Sequence, residues 1–103
     1  MNFEDIIGSA YDDTLTGDSN SNKIQGGDGN DLIEGKNGAD TLDGGSGTDI
    51  LTYSSSSAGV TVNLAIGSGS GGDAAGDVLS NFENIIGSIY NDVLIGDLNV
   101  NNI

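Results

Sequence analysis

The chain is predicted to be all-β: a parallel β-roll (right-handed β-helix) with two repeat units per turn and one inserted strand and loop segment. Three observations predict it. A nine-residue period runs through most of the 103 residues. The eighth position of each unit is a large aliphatic, and the sixth is Asp or Asn. Glycine opens the units and recurs at their second and fourth positions. Self-similarity at a fixed short period marks a repeat architecture, in which each unit buries its apolar side chain only against its neighbours.

The period is clearest at 26–52, which read GGDGNDLIE, GKNGADTLD and GGSGTDILT. Backwards it continues as GDSNSNKIQ at 17–25 and GSAYDDTLT at 8–16, so 8–52 is five contiguous nonapeptides. Downstream, GDAAGDVLS at 72–80 fits the same frame, followed by GSIYNDVLI at 87–95 and GDLNVNNI at 96–103. The eighth positions are Leu15, Ile24, Ile33, Leu42, Leu51, Leu79, Leu94 and Ile103. The sixth are Asp13, Asn22, Asp31, Asp40, Asp49, Asp77, Asp92 and Asn101.

The chemistry of one unit follows from its residue types. Glycines at positions 1, 2 and 4 permit a tight turn with little side-chain bulk. Such a turn can aim several carbonyls at one point, and the sixth-position aspartate adds charge. Calcium is a hard cation that takes six to eight oxygens, many from carbonyls and carboxylates. After the aspartate, three residues run out as a strand whose middle aliphatic faces inward. So short a strand must stack on others. With two units per turn, loops on one side come from units n and n+2, which stacks Asp13 with Asp31, Asn22 with Asp40, and Asp31 with Asp49. Bare aspartates so stacked repel, and a dication between each pair relieves that. Candidate metal residues are therefore Asp13, Asn22, Asp31, Asp40, Asp49, Asp77 and Asp92, with Gly27, Gly29, Gly38, Gly45 and Gly47 in the turns. Downstream, Asp77 is expected to pair with Asp92. Asp73 and Asp77 are a further candidate set, with Glu83 either a third carboxylate or a solvated surface charge.

This pattern resembles GGxGxDxUx of the RTX (hemolysin-type) family, the calcium-binding repeats of proteins exported by bacterial type I secretion. The resemblance covers most of the chain and is strongest over 26–52. It implies several bound calcium ions, an extracellular location and a role as a module of a larger protein. Departures are specific. Lys36 replaces the second glycine of its unit, which is tolerable if that position does not need positive φ. Tyr11 and Tyr90 stand at position 4, so those turns are expected to be reshaped or to lack an ion. The neutral Asn22 and Asn101 predict weaker sites.

A longer period overlies the short one. NFEDIIGSAYDDTLTGDSNSNKI at 2–24 returns as NFENIIGSIYNDVLIGDLNVNNI at 81–103, an offset of 79 residues. The chain therefore reads as a single β-roll repeat domain, 1–103, cut from a longer array. Residues 53–71 form an insertion: VTVNL at 60–64 alternates as an extra strand, while SSSS at 54–57 and GSGSGG at 67–72 read as loops. NFEDII and NFENII read as strand-like entries. In the second copy Ile89, Val93, Ile95, Leu98 and Val100 replace smaller or more polar residues. That apolar outer surface suits packing against the insertion or the next unit, or self-association or a partner.

Composition bounds the function. Two Lys and Arg against 16 Asp and Glu leave a net charge of −14, which opposes nucleic-acid binding and favours cations. The 18 glycines favour the unfolded chain, and a thin column of aliphatics is a small core to oppose them. Metal binding and folding are therefore expected to be one event. No histidine or cysteine is present, which removes the commonest bases, nucleophiles and transition-metal ligands, so these residues are read as non-enzymatic. No transmembrane stretch appears, and residues 1–25 lack the basic and apolar regions of a signal peptide. Two functional classes remain. One is a calcium-driven folding module serving export, stabilisation or spacing. The alternative is an adhesin or ligand-binding module, to which Tyr11, Tyr53 and Tyr90 could contribute.

Overall fold

The structure is a computed structural model that describes residues 3–96, with side chains from residue 5 onward. The expectations for Leu98, Val100, Asn101 and Ile103 lie outside the described residues. The described chain is all-β apart from one short 3-10 turn. Strands β1 (Phe3–Ile7), β3 (Ser21–Gln25) and β5 (Thr41–Asp43) pair in parallel in one sheet, and β2 (Thr14–Thr16), β4 (Leu32–Glu34) and β6 (Ile50–Thr52) pair in parallel in a second. Successive strands thus alternate between sheets. The three-residue strands turn their middle residue inward, fully buried in β4, β5 and β6 and half-buried in β2, because strand side chains alternate.

The eighth-position column is the core. Ile24, Leu42 and Leu79 from the first sheet meet Ile33, Leu51 and Ile85 from the second in one buried cluster. Leu15 and Leu94, at its two ends, are partly buried against it. The registers are in phase: Ile24 stands beside Leu42, Leu42 beside Leu79, and Ile33 beside Leu51.

The insertion joins the roll. Strands β7 (Thr61–Asn63) and β8 (Ser68–Ser70) form an antiparallel pair, and β8 lies antiparallel to β9 (Val78–Ser80), which continues the rung of β5. Strand β10 (Asn84–Ile86) continues the second sheet on β6, and β11 (Val93–Ile95) pairs with β7. Val60 and Val62 are buried, as befits the alternating VTVNL stretch. Two expectations change. The glycine–serine run at 67–72 is not all loop, because Ser68–Ser70 is strand β8. Backbone pairing needs no apolar side chain, and a Cβ on Gly69 would lie 2.9 Å from the Ala74 carbonyl oxygen. Residues 72–80 keep the repeat frame in Asp77 and the strand after it but not in the loop, since Gly72–Ala74 is a 3-10 turn.

A consequence of this path is an exchange of sheets. Phe82–Ile86 repeats Phe3–Ile7 in sequence, yet β10 lies in the sheet opposite to β1, and β11 opposite to its counterpart β2.

Candidate metal centre

The sixth-position side chains stand just before the strands, so strand stacking sets them in two columns. Asp13, Asp31 and Asp49 precede β2, β4 and β6; Asp40 and Asp77 precede β5 and β9, and Asn22 stands within the longer β3. Each column is tied by its own carboxylates. The backbone N–H of Asp13 donates to Oδ1 of Asp31 at 2.9 Å, that of Asp31 to Oδ1 of Asp49 at 2.9 Å, and that of Asp49 to Oε1 of Glu83 at 2.8 Å. In the other column the N–H of Asn22 donates to Oδ1 of Asp40 and that of Asp40 to Oδ1 of Asp77, both at 2.8 Å. One oxygen of each acid is therefore spent on the coil before it.

The second oxygen is what the fold leaves open. Oδ2 of Asp31, Asp40 and Asp49 is buried and has no hydrogen-bond partner. A buried anionic oxygen without a partner is costly, by about 1–3 kcal/mol even for a neutral group and more for a charge. Two structural facts describe its surroundings. The first glycine of the unit lies against that carboxylate: a Cβ on Gly26 or Gly35 would sit 2.5 Å from Oδ2 of Asp31 or Asp40. The turn glycines lie against rows of carbonyls from the previous coil. A Cβ on Gly27, Gly29, Gly38, Gly45 or Gly47 would sit 2.6 Å or less from a backbone atom of Ser9, Tyr11, Asn20, Gly27 or Gly29. The donor set is thus wholly oxygen, carboxylate plus carbonyl, which fits calcium. Among the described residues no group of three or more His, Cys, Asp or Glu side chains is placed to hold a metal ion by itself.

Electrostatics reflect this burial. Desolvation pushes Asp40 up to about 7, opposed by the Asn22 N–H and reinforced by the charges of Asp77, Asp18 and Asp73. Asp49 is also pushed up to about 7, mainly by burial, with Asp31 and Glu83 adding repulsion.

The other acids are arranged differently. Asp77 stacks on Asp40 and not on Asp92, because β8 and β7 lie between β9 and β11. Its Oδ2 accepts the hydroxyl of buried Tyr53 at 2.7 Å. Burial is also the main cause that pushes Asp77 up to about 6, and it raises the Tyr53 hydroxyl too. Asp92 instead takes the Val60 N–H at 2.9 Å. Glu83 sits beneath Asp49 in the other column and so does not join Asp73 and Asp77 in one set. Asp73 is buried in the 3-10 turn, where its N–H donates to Ser56 Oγ. Asn22 keeps its place in the column, its Oδ1 taking the Asp18 N–H. Lys36 does need positive φ: it stands at 65°, the conformation that Gly27 and Gly45 adopt at the same position. Tyr53, being buried, is not a surface for ligand stacking, whereas Tyr11 and Tyr90 are exposed. Sequence reasoning missed the first-position glycines as carboxylate seats and Tyr53 as a partner. Their signals were the invariable Gly at position 1 of each unit and a tyrosine next to the period's last strand.

Comparison with known proteins agrees with this geometry. The RTX calcium-binding nonapeptide repeat family matches in four copies, at residues 3–33 and 16–51. No curated protein and no solved structure matches the chain. RTX repeats are calcium-binding structural modules that occur in secreted bacterial proteins, and each array binds several ions. With its period, its stacked aspartates and this match, the chain belongs over residues 3–51 to the RTX calcium-binding nonapeptide repeat family.

Proposed function

We propose that this chain is a calcium-driven folding module, disordered without the ion and a rigid roll with it. It would serve the export, stabilisation or spacing of a larger protein. The observation that carries this reading is the set of three buried carboxylate oxygens without partners, on Asp31, Asp40 and Asp49. A chain of net charge −14 that stacks such groups opposes its own folding until cations neutralise them. Weak extracellular calcium modules bind at roughly 10⁻⁴–10⁻³ M. Sites of that strength would stay empty in a cytosol and fill outside the cell, which suits export of an unfolded chain by type I secretion. Among the described residues no helix is long and apolar enough to cross a membrane.

Small-angle scattering tests the reading. With calcium, the radius of gyration should approach 12.1 Å. In chelator it should rise toward roughly 30 Å, the value for an unfolded chain of this length. A compact chain in chelator at neutral pH would refute the reading.

A second reading rests on the outer face of the last described strand. Ile89, Tyr90, Val93 and Ile95 are exposed together on or beside β11. This patch suits calcium-dependent self-association or an adhesive contact, and equally a following unit of the array. Light scattering at rising calcium separates them: a monomer throughout would exclude self-association.

A further inference from the structure

The acids of the repeat frame divide by what their outer oxygen meets. In the loops of Asp31, Asp40 and Asp49 that oxygen is buried and open. In the loop of Asp13 it is closed from within. Ser9 donates its backbone N–H to Oδ2 of Asp13 at 2.7 Å, and its hydroxyl contacts both carboxylate oxygens, at 3.0 and 3.1 Å. The same hydroxyl accepts the Tyr11 N–H at 3.1 Å. The loop of Asp92 holds its acid with the same residue types: Ser88 Oγ donates to Oδ1, the oxygen that also takes the Val60 N–H, at 2.7 Å and accepts the Tyr90 N–H at 3.0 Å. The Ser88 backbone also hydrogen-bonds this carboxylate.

Backbone shape divides the loops in the same way. The turns of Asp31, Asp40 and Asp49 place positions 2 and 4 at positive φ, through Gly27, Gly29, Lys36, Gly38, Gly45 and Gly47. Among the described residues only Lys36 and Asn81 do so without being glycine, so Ser9, Tyr11, Ser88 and Tyr90 do not. A turn without those two left-handed residues presents its carbonyls differently, and its acid already has donors.

Resting on the calcium reading above, we propose that the GSxY loops at 8–13 and 87–92 are metal-free joints, in which a serine hydroxyl and amide stand in for the ion. Calcium is confined to the glycine loops of Asp31, Asp40 and Asp49. The two joints stand 79 residues apart and bracket the block of glycine loops between them.

Counting bound calcium at saturation by equilibrium dialysis tests this on the full chain, with circular dichroism confirming that each variant folds. Asp13→Asn and Asp92→Asn should each bind as many ions as the unaltered chain. Asp49→Asn should bind at least one fewer. Ser9→Gly with Tyr11→Gly completes the GGxGxD pattern in the first loop and should bind one more. Loss of an ion in Asp13→Asn or Asp92→Asn would overturn the proposal, as would no gain in the double variant. An unchanged count in Asp49→Asn would instead refute the calcium-loop reading itself.

Discussion

At the scale of the residue, the sixth-position acid does two jobs with its two oxygens. In Asp31, Asp40 and Asp49 one oxygen accepts the amide of the preceding coil, and the other is buried without a partner, open to the cation proposed above. Removing the acid therefore loosens the stack as well as the site. Tyr53 shows what a protein group does in the ion's place. Replacing it with Phe leaves the second oxygen of Asp77 buried and unpaired, which should cost about 1–3 kcal/mol. Denaturant unfolding in saturating calcium measures it, and an unchanged midpoint would show that the hydroxyl contributes nothing. Lys36 makes an opposite case. A left-handed conformation costs a non-glycine residue about 1–2 kcal/mol, partly offset by the extra freedom glycine has when unfolded. Lys36→Gly should thus stabilise the loaded roll by about 0.5–1 kcal/mol, seen as a higher melting temperature. The columns at positions 6 and 8 could be read from the residues themselves, because burial and charge act through side-chain type. The conformation of Lys36 could not, since a lysine carries no mark of the turn that holds it. Nor could the Tyr53 contact, which joins residues 24 apart through the insertion.

At the scale of the element, strands β2 to β6 follow from the period, because each needs only one inward aliphatic flanked by outward residues. Strand β7 follows from its alternation. Strand β8 carries no such signal: Ser68–Ser70 is held by its neighbours' backbones, not by burial of its own side chains. The first half of 72–80 was illegible for a related reason. Only its opening glycine matches the frame, since positions 2 and 4 are Asp73 and Ala75, and a 3-10 turn replaces the loop. In the regular loops the opening glycine is constrained by the carboxylate itself. A Cβ on Gly26 would meet Oδ2 of Asp31 at 2.5 Å and the Gly44 carbonyl oxygen at 2.7 Å. Gly26→Ala should cost about 1–3 kcal/mol from overlap and weaken calcium binding at that loop. Calorimetric titration checks it, and wild-type affinity would contradict the seat assigned to the carboxylate.

At the scale of the whole molecule, the 79-residue repeat and the two-strand turn are out of step, so the second copies of β1 and β2, strands β10 and β11, fall in the opposite sheets. Neither period alone reveals this, because it depends on how many rungs the insertion occupies. The same scale governs the response to pH. Asp40 and Asp49 are pushed up to about 7 in the folded, metal-free roll from an ordinary value of 3.8. Groups raised in this way favour folding fully below the unfolded value, and that contribution is lost as pH rises through about 7. Protons and calcium should therefore substitute for one another. Acidifying the calcium-free chain from pH 7 toward 4 should increase its β-structure and lower its calcium affinity, and a pH-independent affinity would contradict this. The central claim is that this fold exists only when cations occupy its aspartate columns. Far-ultraviolet circular dichroism at neutral pH during a calcium titration tests it most directly. A disordered spectrum in chelator, changing cooperatively to a β-spectrum as calcium is added, is the predicted result; a full β-spectrum in excess chelator would contradict it.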